Sequence, residues 1–354
     1  MNHIIGTEDI WTDDQRTKMQ AIIDEAMSKR VGQKIVDAEP YSGAVVPLEQ
    51  FVNQNGQATL VTIGGASFVD LFIEMPISPE GSNKTPTFDA ISKVLRSCAV
   101  QLAQAEDRII FEGPDALRGL ANIGVNVRQP NNVLDGLLHV QPNVAEEVNQ
   151  AAAGYPQSLH TAVGLAETAL ENSGYAKPFS LVLHDVLKSE GNLPAAPGGP
   201  SIVSQIKELI EGDVFASGQI LVRQDNQNNE VWHYGLLAAP HGAQATIYIG
   251  QEPTLELTHI DGQGRYCFCL SERFQLVVRA PEAFHRIQVR RPAAAAPAPV
   301  RRGPLPPERV IAQPPRQGLP PRLAARMGCG DGHPPVQPQP ALEEAAAARQ
   351  RQDK

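Results

Sequence analysis

The chain has 354 residues, with 30 Lys or Arg against 39 Asp or Glu, a formal charge of −9 and four cysteines. That balance disfavours nucleic acid as a partner, because phosphate neutralisation needs clustered cations, and four cysteines are too few for a disulfide framework at this length. No apolar run approaches the roughly 20 residues of a membrane span and no basic-then-apolar leader opens the chain, so a cytosolic protein with no membrane partner is expected.

Thr12-Asp13-Asp14-Gln15 has capping-box spacing, and Met19, Ile22, Ile23, Ala26 and Met27 follow at helical intervals on one face. An amphipathic helix from about Asp13 to Arg30 is predicted. From Ala44 to Pro79 the pattern turns to β. Ala58 to Ile63 and Ser67 to Ile77 are rich in β-branched and aromatic residues, punctuated by Asn55-Gly56 and Gly64-Gly65. Long strands joined by tight turns make an extended β-arm, of a kind that pairs outside its own domain.

The strongest helical signal runs from Thr87 to Glu112, where Phe88, Ile91, Leu95, Cys98, Leu102, Ala105 and Ile109 alternate spacings of three and four and Gly113-Pro114 ends the run. About 25 residues at 1.5 Å each make a rod of roughly 38 Å, long for a globular domain. A helix from Ser158 to Asn172, a strand Phe179 to His184, a loop Ser189 to Pro200 and a helix Ile202 to Glu211 follow. Only strands are predicted after that: Ile220 to Arg223, Glu230 to Leu237, Ala245 to Ile249, Leu255 to Ile260, Arg265 to Leu270 and Phe274 to Arg279. This order is α+β with no βαβ repeat. From Pro292 to Lys354 lie 14 of the 30 prolines and no Phe, Trp or Tyr, which predicts a disordered tail of charge about +4 behind a body of about −13.

Sites for chemistry are scarce. No phosphate-binding glycine loop and no nucleophile elbow is present. Glu-x-x-His occurs three times, at Glu230/His233, Glu256/His259 and Glu282/His285. The pair binds metal from one helix face, but two of these lie in strand patterns, where i and i+3 diverge, and the third follows Pro281. Cys267 and Cys269 would share one strand face, reading as core packing, and Cys329 with His333 offers two ligands at most. Glu106-Asp107-Arg108 are adjacent on a helix and cannot act jointly on one substrate atom, so salt bridges to a neighbouring chain are expected. His160 and His184-Asp185 lack an identifiable nucleophile. Neither a catalytic residue, a metal nor a cofactor is expected.

Ala105-Glu106-Asp107-Arg108-Ile109-Ile110-Phe111-Glu112-Gly113, closing the long helix, resembles a signature of encapsulin shell proteins, the linocin/encapsulin family. Four more segments resemble the family in its own order: Val31 to Asp37, Leu209 to Val214, Ile247 to Glu252 and Phe274 to Ala283. The resemblance implies a tailed-phage major-capsid-like fold and a self-assembling, non-enzymatic shell subunit of a bacterial cytoplasmic nanocompartment. Its domains would be residues 1–40 as N-terminal arm and amphipathic helix, 41–85 as extended β-loop, 86–127 as spine helix of the peripheral domain, 128–242 as axial domain, 243–291 as closing strands and 292–354 as tail.

In the family a groove beside the N-terminal helix captures the targeting peptide of a cargo protein, such as a peroxidase or a ferritin-like protein. By position Ile23, Met27, Ile35, Val36 and Asp37 are the cargo-binding candidates, while Ile23 and Met27 could equally pack the helix down. Gly191, Asn192, Leu193 and Pro194 are the pore candidates, in a loop whose uncharged composition implies weak selectivity. Two other classes stay open. A prophage major capsid protein would share the fold but package DNA, disfavoured by the acidic body and the early helix; a metal or redox enzyme would use the Glu-x-x-His pairs and cysteines.

Overall fold

Thr12 accepts the Gln15 N–H while the Gln15 side chain accepts the Thr12 N–H, so the expected capping box is formed and opens α1, Asp13–Met27. The structure is a computed structural model; it describes residues 4–7, 10–54, 57–79, 85–141, 145–149, 157–194, 198–225, 230–240, 242 and 244–292. The tail beyond Pro292 with Cys329 and His333, the Asn55-Gly56 pair expected as a turn and residues 195–197 lie outside the described residues. By packing, the chain divides after Ala296, and all the described residues fall in the first unit.

Two sheets and one hairpin organise the first unit. β1 (Ile4–Ile5) precedes α1; β2 (Asp37–Pro40) follows it; β3 (Val46–Gln54) and β4 (Gln57–Ala66) pair antiparallel as the arm, and β5 (Val69–Ile77) returns from it. Gly64-Gly65, expected as a turn, lies inside β4, opposite a register shift at Leu48/Glu49. A bulge there bends the arm without ending the strand.

Helix α2 spans Phe88–Glu112 with Thr87 capping it, as its periodicity predicts, and buries Ile91, Leu95, Cys98, Leu102, Ala105 and Ile109. It stops at Gly113, whose φ is 58° and where a Cβ would stand 2.4 Å from Gly136 N and 2.6 Å from Leu134 O. Only glycine fits both the angle and the approach. A short helix α3 (Leu117–Leu120) and strands β6 (Asn126–Val127) and β7 (Ala145–Asn149) lead to α4 (Gln157–Asn172).

The next section is β8 (Ser180–His184), α5 (Asp185–Gly191), α6 (Ile202–Ile210) and β9 (Val214–Ser217), with β8 and β9 parallel. Helix α5 replaces the start of the loop expected from Ser189: the His184 ring caps it by accepting the Val186 N–H. Beyond come β10 (Arg223–Asp225), β11 (Glu230–Ala238), β12 (Ala245–Ile260), β13 (Tyr266–Val278) and β14 (Phe284–Pro292). Each of β12 and β13 joins two segments expected as separate strands, because their ladder continues through register shifts at Gln251 and Thr254. The expected strand at Ile220 begins instead at Arg223, and β9 and β14 were not expected.

The first sheet runs β1-β12-β13-β5-β6 with β2 also on β12; the second runs β7-β14-β11-β8-β9 with β10 on β11. Helices α1 and α2 pack together on the first sheet around Met19, Ile23, Leu95, Leu102, Phe268 and Phe274. Helices α4, α5 and α6 cover the second around Leu159, Phe179, Leu187, Ile206 and Val289.

Candidate functional site

Helix α1 and the turn after it are held down by the acidic end of α2. Arg30 donates to Glu106 Oε2 at 2.5 Å and to Glu272 Oε1 at 2.8 Å, and the Gln33 amide donates to Glu106 Oε1 at 2.9 Å. Asp107 accepts the Val31 N–H at 2.9 Å and the Gly32 N–H at 2.8 Å. These donors turn away from helical partners, which is why α1 ends at Met27 and not at Arg30. Glu106 and Asp107 are buried within their own chain. The expectation that they bridge to a neighbouring chain is therefore corrected: they fasten the N-terminal segment to the spine of the same molecule. Burial pushes the Asp107 carboxyl up to about 7 against the pull of the two N–H donors, with Glu106 adding to the rise and Arg30 opposing it.

The five cargo-binding candidates divide. Ile23, Ile35 and Val36 are interior members of the first core, and Ile35 and Val36 also line a small recess of about 10 Å³ with Ala239, Gln244 and Phe284. Asp37 opens β2, opposite Thr246 of β12. Met27 is largely buried yet forms part of the wall of an open cavity of about 380 Å³, with Gln20, Asp24, Lys34 and Glu252 around it. Sequence periodicity selects the buried stripe of α1; the residues able to meet a ligand are its polar neighbours one position off that stripe.

Of the pore candidates, Gly191 is buried as the last residue of α5, and Asn192, Leu193 and Pro194 are exposed. Asn192 and Leu193 N–H groups donate to Lys188 and Glu190 carbonyls, and Pro194 bridges to Ser201, the cap of α6. Arg291 clamps Glu190 through two bonds of 2.9 and 2.5 Å, fixing the end of α5 to β14.

The metal candidates do not assemble. Glu230 faces Arg290 at 3.8 Å, while His233 meets His184, Nδ1 to Nδ1 at 3.3 Å. His259 bonds Thr258, and His285 lies 3.5 Å from Glu146. Among the described residues no three His, Cys, Asp or Glu are grouped to hold a metal ion. Burial pushes the Cys98 thiol up to about 11 and raises Cys269 too, the reverse of a reactive thiolate. The arm is different in kind: Val45, Leu60, Val61 and Ile63 stand exposed, Ile63 at 62%. Among the described residues no helix is long and apolar enough to cross a membrane.

No family model matches the chain, and no curated protein matches it. Among solved structures it is similar to the virus-like particle from Pyrococcus furiosus, at 15% identity over 77% of this chain and 98% of that one, with a TM-score of 0.53. It also matches the capsid of an empty GTA particle (12% identity, 74% of this chain and 96% of that one, TM-score 0.49). A third match is the holo-SrpI encapsulin complex from Synechococcus elongatus (13% identity, 70% and 83%, TM-score 0.40). The chain has an α+β, tailed-phage major-capsid-like fold, as the sequence resemblance implied.

Proposed function

We propose that this chain is the self-assembling shell subunit of an encapsulin-type compartment in the bacterial cytoplasm, enclosing a cargo protein and catalysing nothing itself. The observation that carries the reading is the docking of α1. In a capsid-type fold, this helix is folded back onto α2 of its own chain and leaves an open cavity of about 380 Å³ along its polar side. An extended peptide of the cargo would lie there, against Met27, Asp24, Lys34 and Glu252, with Ile23, Ile35 and Val36 supporting the wall from behind.

The remaining elements take the roles the resemblance implies. The β3–β4 arm, with apolar residues exposed at Leu60, Val61 and Ile63, would pair with a neighbouring copy. Residues 1–40, 86–127 and 243–291 would form the peripheral part around the first core, and 128–242 the axial part around α4, α5 and α6, with Asn192 to Pro194 near a pore.

The test is microscopy of native particles with mass spectrometry of their contents. Hollow closed shells holding a protein whose terminal peptide is needed for loading, with loading lost in Lys34→Glu, are expected. Nuclease-protected DNA inside, with terminase and portal genes beside this one, would favour a prophage capsid; small oligomers with stoichiometric iron would mean an enzyme.

A further inference from the structure

Beneath the N-terminal segment three acids converge on one cation. Arg30 donates from the same nitrogen to Glu106 of α2 and Glu272 of β13, both fully buried, and Glu252 of β12 adds negative potential there. Asp107 lies beside them, holding Val31 and Gly32. Asp24 and Lys34 line the cavity above Arg30, and the Gln33 amide completes Glu106. The segment of β5 opposite Glu272 is Leu71, so no further charge faces it from that strand.

One guanidinium can neutralise one carboxylate. A second ionised carboxylate at the same place would be an unpaired charge in a low dielectric, so one of the two must hold a proton. Glu272 is that group. Burial and then the Glu106 carboxylate hold its acid well above the usual carboxylate range, with Arg30 opposing. A proton on Glu272 also has an acceptor at hand, because the hydrogen bond it shares with the Glu106 side chain favours the protonated acid.

We propose that protonated Glu272 is a latch: α1 and the turn through Lys34 stay docked on α2 and β13 while Glu272 holds its proton, and are released when it leaves. The docked state binds a proton that the released state, with an ordinary glutamate in water, does not hold at neutral pH. Docking is therefore complete below the ordinary carboxylate range and weakens as pH rises. The docked-to-released ratio falls about tenfold per pH unit until the docked form also loses its proton. Asp107 acts with the same sign, but its contribution ends near pH 7. With Asp107 changed to Asn, the slope that remains belongs to the Arg30–Glu106–Glu272 cluster. The latch rests on contacts within one chain and is independent of what the shell encloses.

Trp11 reports the motion, because its ring stacks on Phe268 with centroids 5.3 Å apart. In a Trp232→Phe background it is the one remaining tryptophan. The experiment follows Trp11 emission and hydrogen exchange of α1 from pH 6 to 10 on the full chain, with exchange corrected for its intrinsic pH dependence. Asp107→Asn, which removes the competing titration, is expected to lose protection by up to about tenfold per pH unit as pH rises and Trp11 emission shifts to the red. In that background Glu272→Gln, which keeps a neutral acceptor for Arg30, abolishes this slope. Glu106→Gln does so independently by leaving one carboxylate for one arginine, and it decides the matter if Glu272→Gln does not fold. A flat Asp107→Asn profile, or a slope that survives in either glutamine variant, overturns the latch.

Discussion

Asp107→Ala tests whether the acidic end of α2 fastens the N-terminal segment. Alanine leaves the Val31 and Gly32 N–H groups without an acceptor in a place where Asp107 itself is almost fully enclosed. Each orphaned buried donor costs about 1–3 kcal/mol. Removing a carboxyl that burial already pushes up to about 7 returns part of this. The net loss is about 2–4 kcal/mol, against whole-domain stabilities of roughly 5–15 kcal/mol. The cost falls on local opening, so amide protection over residues 28–36 at pH 7 should drop on the order of 30- to 1,000-fold, while the core of α4 to α6 keeps its protection. Asp107→Asn retains one carbonyl acceptor and should fall between. Hydrogen exchange with mass spectrometry reads the result. Unchanged protection in Asp107→Ala would mean that apolar contacts of Met19 and Ile23 alone hold the segment, and the argument from the two N–H groups would be refuted.

Gly113→Ala should prevent stable folding, costing more than about 4 kcal/mol, because the new Cβ meets backbone atoms at a positive φ. Gly262→Ala, where nothing lies within 4 Å, should stay within about 0.5 kcal/mol; equal melting temperatures for the two would refute the account of how α2 ends. His233 is pushed down to about 4 by burial first, then by Arg291 and His184. The native state thus holds it neutral, so its contribution is complete above the ordinary histidine range and is lost as pH falls toward 4. The loss is about 1.4 kcal/mol per pH unit and at most about 3 kcal/mol. His233→Gln should flatten that limb of a melting-temperature profile between pH 4 and 7. Ile63→Asp, at an exposed arm position, should change the stability of the subunit by less than about 0.5 kcal/mol yet abolish large particles on size-exclusion; normal particles would remove the arm from assembly.

What could be read before the structure was whatever depends on neighbours in the chain. Thr12 and Gln15 cap each other three residues apart, and Leu95, Cys98, Leu102 and Ala105 repeat at the helical period, so both helices stand where expected. Strands β12 and β13 were legible only in pieces, because the expected segments stop at Ile249 and Leu270 and resume at Leu255 and Phe274, while their ladder crosses both gaps with shifted register. Strand β14 carries His285, Arg286, Gln288, Arg290 and Arg291, a polar pattern stabilised by burial against β11 and β7 that no local signal announces.

The cluster at the end of α2 shows the same divide at the level of single residues. A helix with one partner buries one stripe, but Ala105 to Glu112 is buried nearly all round. Its second face is covered by the turn after α1, and the two acids on that face, Glu106 and Asp107, meet Arg30, Val31 and Gly32 from 75 or so residues earlier. Charged side chains inside the apolar run Leu102 to Phe111 were the available signal, since acids are almost never fully buried without partners. Adjacent acids of unlike role need unlike partners: a guanidinium for Glu106, backbone amides for Asp107. Spacing could therefore exclude joint chemistry at this pair, while the assignment to an internal fastening required knowing which distant segment lies over it.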